Sequence, residues 1–380
     1  MSRSGSFVSA MLACVAMALL GSSAGAETYS CVDLGPVGLV VSQAQGISSD
    51  GSQQVGTGFA SHDDPYGNHA LLWSGSAQSV VDLQPSGFLT SDAYGANGGE
   101  QVGIGYLGRF SSHALLWHGS ADSYIDLHPS GYLTSGAWAT NGKQQVGRAV
   151  PPGIYGVTGG HAILWNGSAE DYVDLNPPGF RESSARALTD TQQVGYGGKE
   201  EMSDFHALLW SGTPGSYVDL NPDWLEGSSA WAVCGDQQVG SGGLAVSPDD
   251  DIVPQAILWT GTAQSAVNLN PAGFVASSAS GTNGIVQVGS GAIHGLDGSA
   301  NHALLWHGSA ESYVDLNEFL PAGFTESEAY AVDAAGRIVG TCSNSSCAHA
   351  VMWVPVPEPS CMALLMAPAI LLCRKARLPF

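Results

Sequence analysis

The sequence predicts an all-β chain, a seven-bladed β-propeller, and three observations carry that prediction. One short pattern recurs seven times, at intervals of 44 to 51 residues, across most of the chain. Each copy holds short apolar or alternating runs separated by Gly, Ser, Asn, Asp and Pro, and none sustains helical i, i+3, i+4, i+7 spacing outside the two termini. The last copy lacks its final strand, while a spare strand of that kind stands at the start of the chain. A period of this size, with about four strands per unit, matches a radial β-array in which each unit covers its neighbour's apolar face.

Residues 1–26 read as a secretory signal, with Arg3 as the positive start, an apolar stretch over residues 8–20 and Ala24-Gly25-Ala26 as a small-residue cleavage site. Residues 27–355 carry the repeats. A strand over about residues 29–35, containing Cys31-Val32-Asp33-Leu34, is expected to complete the last blade, about residues 329–353, and so close the ring. Closure removes the exposed sheet edges that an open array would leave. An open solenoid would strand that segment and would need polar capping units, which the sequence lacks.

Three landmarks keep their order in every copy. An Asp-Leu step begins at Asp33, Asp82, Asp126, Asp174, Asp219, Asn268 and Asp315. The glycine of a Gln-Val-Gly step falls at Gly56, Gly103, Gly147, Gly195, Gly240, Gly289 and Gly340. A His-Ala-Leu-Leu-Trp run ends at Trp73, Trp117, Trp165, Trp210, Trp259, Trp306 and Trp353. The Trp run and the following Asp-Leu run read as a hairpin through a Gly/Ser/Asp turn. A Pro/Gly loop follows, then a run of small residues such as Ala137-Trp138-Ala139, and Asn141-Gly142 is a turn of positive-φ type. The Trp and Leu residues are expected to be core between blades.

One substitution is paired. His69, His113, His161, His206, His302 and His349 open the Trp run in six copies, and Gln255 does so in the fifth. Thirteen residues after Gln255 stands Asn268, where the other copies have Asp, and the same spacing joins His69 to Asp82, His113 to Asp126, His161 to Asp174, His206 to Asp219 and His302 to Asp315. These residues are expected to share a hydrogen bond across the hairpin, amide to amide in the fifth copy, with His349 meeting Asp33 in the closed ring. Repeat-equivalent histidines diverge around a ring, so they are read as structural partners rather than metal ligands.

At the C-terminus, Val356-Pro357-Glu358-Pro359-Ser360 precedes an apolar run over residues 361–373 and then Arg374-Lys375-Ala376-Arg377. This segment, residues 356–380, resembles the PEP-CTERM sorting tail of bacterial exported proteins. The resemblance implies an exosortase-type sorting enzyme as partner, with Pro357, Glu358 and Pro359 as the signal and Arg374, Lys375 and Arg377 as the cytoplasmic stop, in agreement with the positive-inside rule. The apolar run has thirteen residues and includes Pro368, short of the roughly 20 of a spanning helix. The repeats themselves resemble extracellular HAF-type repeats over roughly residues 29–353, with Leu or Ile usually where that family has Phe. That likeness implies a propeller and export without supplying an activity.

Only 11 Lys and Arg face 33 Asp and Glu, and Arg3, Arg374, Lys375 and Arg377 lie outside the repeats. So acidic a ring argues against nucleic acid and against anionic lipid heads. Cys342 and Cys347 flank a short loop and are expected to form a disulfide in an exported protein, leaving Cys31 and Cys234 free. No paired Cys-x-x-Cys spacing suggests zinc. The acidic loops His62-Asp63-Asp64 and Asp249-Asp250-Asp251 offer oxygen ligands for calcium but lack the spacing of a calcium loop, so a solvated loop is the preferred reading and no cofactor is expected. No Gly-x-Ser-x-Gly, His-Glu-x-x-His or phosphate-binding loop occurs.

The leading expectation is therefore an exported, non-catalytic propeller at the cell surface or in the extracellular matrix, transiently membrane-anchored, that binds or supports an extracellular polysaccharide or another envelope protein. The alternative is a polysaccharide hydrolase or lyase. A catalyst needs residues unique to a few blades converging on one pocket, and the evenness of the repeats favours the scaffold. The loops between Val-Gly and His-Ala vary most in length, which points to that rim as the contact face.

Overall fold

The computed structural model describes residues 27–59, 67–152, 159–199, 205–245, 252–295 and 298–357. The signal, both acidic loops, much of the variable rim, and Glu358, Pro359, Arg374, Lys375 and Arg377 lie outside the described residues, as does the apolar run 361–373; Pro357 lies within them. Among the described residues no helix is long and apolar enough to cross a membrane. One compact unit runs from Ser30 to Val354, and the described residues 27–29 and 355–357 belong to a second.

Short β-branched and small-residue runs broken by glycine turns build antiparallel meanders. A representative sheet takes its inner, second, third and outer strands in sequence order as Glu182–Leu188, Gln193–Gly198, Phe205–Trp210 and Val218–Asp219. Five sheets have four strands each, and an eight-stranded sheet holds both ends of the repeat region. In the latter, the strands of the first repeat meet those of the last through one parallel bridge between Val41 and Ala348. Tyr29–Asp33 adds to Ala348–Pro355, and Leu34 N–H donates to Ala350 O at 2.8 Å. The N-terminal strand thus joins the sheet of the last repeat.

The landmarks acquire separate physical jobs. Each Trp of the third strand is wholly buried and packs between consecutive sheets. Val146, Leu164 and Leu175 meet Ala185, Leu208 and Trp210 of the next sheet. Leu34, Val339 and Met352 meet Ala44, Leu71 and Trp73 in the same way across the two chain ends. Burial is worth about 1.5–3 kcal/mol for each Leu or Val, so these seams supply much of the driving force. The turn after each Trp uses a glycine with φ between 80 and 85° in six copies, and a buried Gln Oε1 of the Gln-Val-Gly step accepts that glycine's N–H at 2.7 to 2.9 Å. Ile338 takes the Gln position in the last repeat. The expected hairpin is shorter than its sequence suggests: a one-turn 3-10 segment such as Ala121–Ser123 intervenes, and only two residues, Ile125–Asp126, pair as the outer strand.

Adjacent sheets are also fastened by a repeated polar bond. The Ala N–H of each His-Ala step donates to a buried serine hydroxyl on the next inner strand, as in Ala162 to Ser183 at 3.0 Å and Ala207 to Ser228 at 3.0 Å. The same bond runs from Ala350 to Ser42 at 3.0 Å, between last repeat and first. A buried N–H without this acceptor would cost about 1–3 kcal/mol.

The Val-Gly glycine answers to a different constraint. All seven inner strands carry a β-bulge opposite it, as between Ala185 and Ala187. The bulge presses an inner-strand carbonyl onto the glycine: a Cβ on Gly195 would lie 1.9 Å from Ser184 O, and one on Gly56 would lie 1.8 Å from Gln43 O. Only the absence of a side chain lets the two strands close at that point.

Gly195→Ala is therefore expected to cost about 1–3 kcal/mol of stability or more, read as a lowered denaturation midpoint. Gly215→Ala, where an added Cβ meets nothing within 4 Å, should change stability by less than about 0.5 kcal/mol. Equal effects would contradict the close approach at the bulge.

Candidate functional site

The paired positions found in the sequence lie on one rim of the sheets. His Nδ1 meets the Asp Oδ2 thirteen residues on at 2.7 or 2.8 Å in the pairs led by His69, His113, His161, His206 and His302. His349 meets Asp33 at 2.9 Å across the chain ends. The other carboxylate oxygen, Oδ1, accepts the backbone N–H two residues on, as Asp219 does from Asn221 at 2.9 Å and Asp33 from Gly35 at 2.7 Å. Each Asp therefore closes an Asx turn with one oxygen and holds a histidine with the other.

The fifth copy corrects the expected amide pair. Gln255 Nε2 donates to Pro254 O at 3.2 Å instead of to Asn268. Asn268 keeps the turn, its Oδ1 accepting Asn270 N–H at 2.8 Å. The two exceptions share a cause without sharing a bond: once the histidine is gone, a neutral Asn serves the turn as well as Asp and leaves no second oxygen to satisfy with a cationic or N–H partner.

The expected disulfide is also corrected, because Cys342 and Cys347 are free thiols, as are Cys31 and Cys234. Cys342 is buried on its strand opposite His349, and the Cys347 thiol lies 3.6 Å from Asn344 Oδ1, within its own loop. Burial pushes the Cys342, Cys31 and Cys234 thiols up, Cys31 to about 12, so these three remain protonated at neutral pH. Among the described residues no three His, Cys, Asp or Glu side chains gather into a metal-holding group.

The residues that sequence reasoning passed over lie at the bulges. The bulged residue of each inner strand is Gln45, Tyr94, Trp138, Arg186, Trp231, Ser280 or Tyr330. All seven line a single solvent-open cavity of about 410 Å3. The sequence held a signal for it: within the recurring Ala-x-Ala or Ala-x-Gly, x is the one position that changes chemical class from copy to copy. The evenness expected of the repeats thus fails where the seven inner strands converge.

Charge and aromatic surface are concentrated on one side of this cavity. The Arg186 guanidinium lies 4.5 Å from the Trp138 ring centroid, 5.1 Å from that of Trp231 and 5.3 Å from that of Tyr196, within cation–π range. Its Nη2 donates to Tyr196 Oη at 3.0 Å, and Tyr94 packs edge-on to Trp138 at 5.0 Å. Arg148 and Arg337 each meet a carboxylate, whereas Arg186 meets only rings and a hydroxyl, and its Nε has no partner among the described residues.

Carboxyl groups near the cavity are already engaged. Tyr106 and Thr57 lie beside Asp92 and act to lower its carboxyl, and Tyr94 lies beside Tyr106. Burial raises the Asp92 carboxyl above its ordinary value despite those neighbours. Tyr330 donates to Glu328 at 2.7 Å and Asn301 donates to its other oxygen at 2.9 Å.

Asp219 offers a test of the rim turns. Burial alone would raise its carboxyl, but the bonds from His206 and the Asn221 N–H outweigh it and hold the carboxyl below the ordinary value. A carboxyl held low in the folded state lends stability that is present above its unfolded value, near pH 4, and lost as pH falls through the folded one. Asp219→Ala should cost about 1 kcal/mol by removing the turn acceptor, and Asp219→Asn should cost less, as Asn268 shows by keeping its turn. Melting temperatures measured from pH 7 to pH 2 should show a shallower acid loss in Asp219→Asn; an unchanged acid limb would contradict the His206 bond.

No family model matches the chain, and no curated protein matches it. Among solved structures, the chain is similar to the β-propeller domain of the Trilobed protease from Pyrococcus furiosus, at 10% identity and a TM-score of 0.52, over 80% of this chain and 91% of that one. It is also similar to the Pyrococcus horikoshii acylaminoacyl peptidase, at 8% identity and a TM-score of 0.51, over 84% of this chain and 52% of that one. The chain thus spans about half the length of that peptidase, 52% by coverage. At such identities the likeness concerns the fold alone, an all-β chain on a β-propeller scaffold.

Proposed function

We propose that the protein is an exported, non-catalytic binding module: a seven-bladed β-propeller whose ring is closed by the N-terminal strand and whose central cavity receives the ligand. The eight-stranded sheet then counts as two blades, first and last, beside the five four-stranded ones. The Ala350 to Ser42 bond repeats at that junction the fastening found between the other repeats. The observation that carries the reading is the non-equivalence of the seven bulge residues, because a mere scaffold has no need of five kinds of side chain at equivalent positions facing one cavity. Concave sites of about 300–1,000 Å3 lined by aromatic and a few polar groups are the usual form of a small-ligand site.

The tail 356–380 would deliver this module to the envelope or extracellular matrix through an exosortase-type enzyme, with extracellular polysaccharide or another envelope protein as the partner. A second reading, a polysaccharide hydrolase or lyase, draws on Asp92, whose raised carboxyl is of the kind that donates a proton to a leaving oxygen. Asp92 is not among the residues that line the cavity, which favours the structural role.

Deleting residues 356–380 and following the protein among cell, membrane and medium tests the sorting. Release into the medium is expected, and unchanged partitioning would defeat it. Screening the protein against a glycan array tests binding. Retention without cleavage is expected, while shortened products would favour the enzyme.

A further inference from the structure

We infer that the central cavity binds a carboxylate-bearing sugar ring, a hexuronate unit of an acidic polysaccharide, with Arg186 receiving the carboxylate. The inference rests on the reading of that cavity as a ligand site and names the chemistry that fills it.

Charge points first to an anion. In a chain with 33 acidic and 11 basic residues, Arg186 faces the cavity with no carboxylate partner among the described residues, while Arg148 and Arg337 each have one. No Asp or Glu is among the residues lining the cavity. Burial raises the Asp92 carboxyl, and Glu328 is bonded to Tyr330 and Asn301. Contacts to Trp138, Trp231 and Tyr196 already restrain the guanidinium, so less ordering remains to be lost when a carboxylate arrives. Nε–H is a buried donor with no partner among the described residues, and a planar guanidinium fork matches a carboxylate. A cationic ligand is disfavoured, since the space between the two Trp rings already holds the chain's own cation.

The remaining walls fit a sugar better than a simple acid. Tyr94, Trp138, Trp231 and Tyr330 present aromatic surface to the cavity, suited to the C–H faces of a pyranose. Ser278 and Ser280, both on the inner strand Ala276–Thr282, also line the cavity. They can serve ring hydroxyls as donors and acceptors. About 410 Å3 is far more than a lone carboxylate needs, and the opening to solvent lets a unit of a longer chain enter.

The test titrates the full chain with trimers of galacturonate, glucuronate and mannuronate, with the matching neutral hexose trimers and with propionate, by calorimetry and tryptophan fluorescence. At least one hexuronate trimer should bind tenfold or more tighter than its neutral counterpart and than propionate. Arg186→Gln should weaken that binding at least tenfold while the protein still unfolds in one cooperative transition, and Arg186→Lys should fall between. Trp231→Phe should reduce the fluorescence response.

Equal binding of acidic and neutral trimers, abolished by Trp138→Ala, would overturn the acidic ligand and leave the cavity as the binding site. Preferential binding of propionate would overturn the sugar. Hexuronate binding indifferent to Arg186→Gln, or no binding of any trimer by folded protein, would overturn the inference outright.

Discussion

The contact between each Val-Gly glycine and the bulged inner strand beside it is the constraint on which the rest depends. A carbonyl such as that of Ser184 occupies the space where a Cβ on Gly195 would be, 1.9 Å away. That approach forces the bulge, and the bulge turns one residue per repeat toward the cavity. The same glycine that closes the sheet therefore aims the side chain that gives the cavity its chemistry. Fold and site share one local device, repeated seven times.

Packing and polar fastening divide the remaining work. Buried tryptophans and leucines fill the seams between sheets, which supplies area but little direction, since apolar burial is non-directional. The serine hydroxyl on the next inner strand adds direction by accepting one N–H of the preceding sheet. Histidine and aspartate then order the rim turn, where partial exposure makes the bond modest in energy. These three terms act at different depths, from seam to rim.

Much of this was legible in the sequence, and the losses have physical reasons. Strand order, the Trp seams and the His349 to Asp33 contact follow from the period and phase, because a repeat must present the same groups to each neighbour. The amide pair at Gln255 and Asn268 was misread because spacing shows that two residues change together, and not which backbone atoms each one serves. The Cys342 and Cys347 pairing was misread because loop proximity carries no side-chain direction. Arg186 was hidden in Ala185-Arg186-Ala187, a run of small residues that looks like filler until the bulge shows where its middle residue points. Only the rule that one position varies while its neighbours hold could have exposed it.

Fixation of Arg186 between Trp138 and Trp231 is where bulge, sheet order and cavity chemistry meet. The most direct measurement is the proton chemical shift of the Arg186 Nε–H, assigned by its loss in Arg186→Lys. Flanking indole faces should move it well upfield of the other arginines through ring currents. A shift equal to that of an exposed arginine would contradict the arrangement.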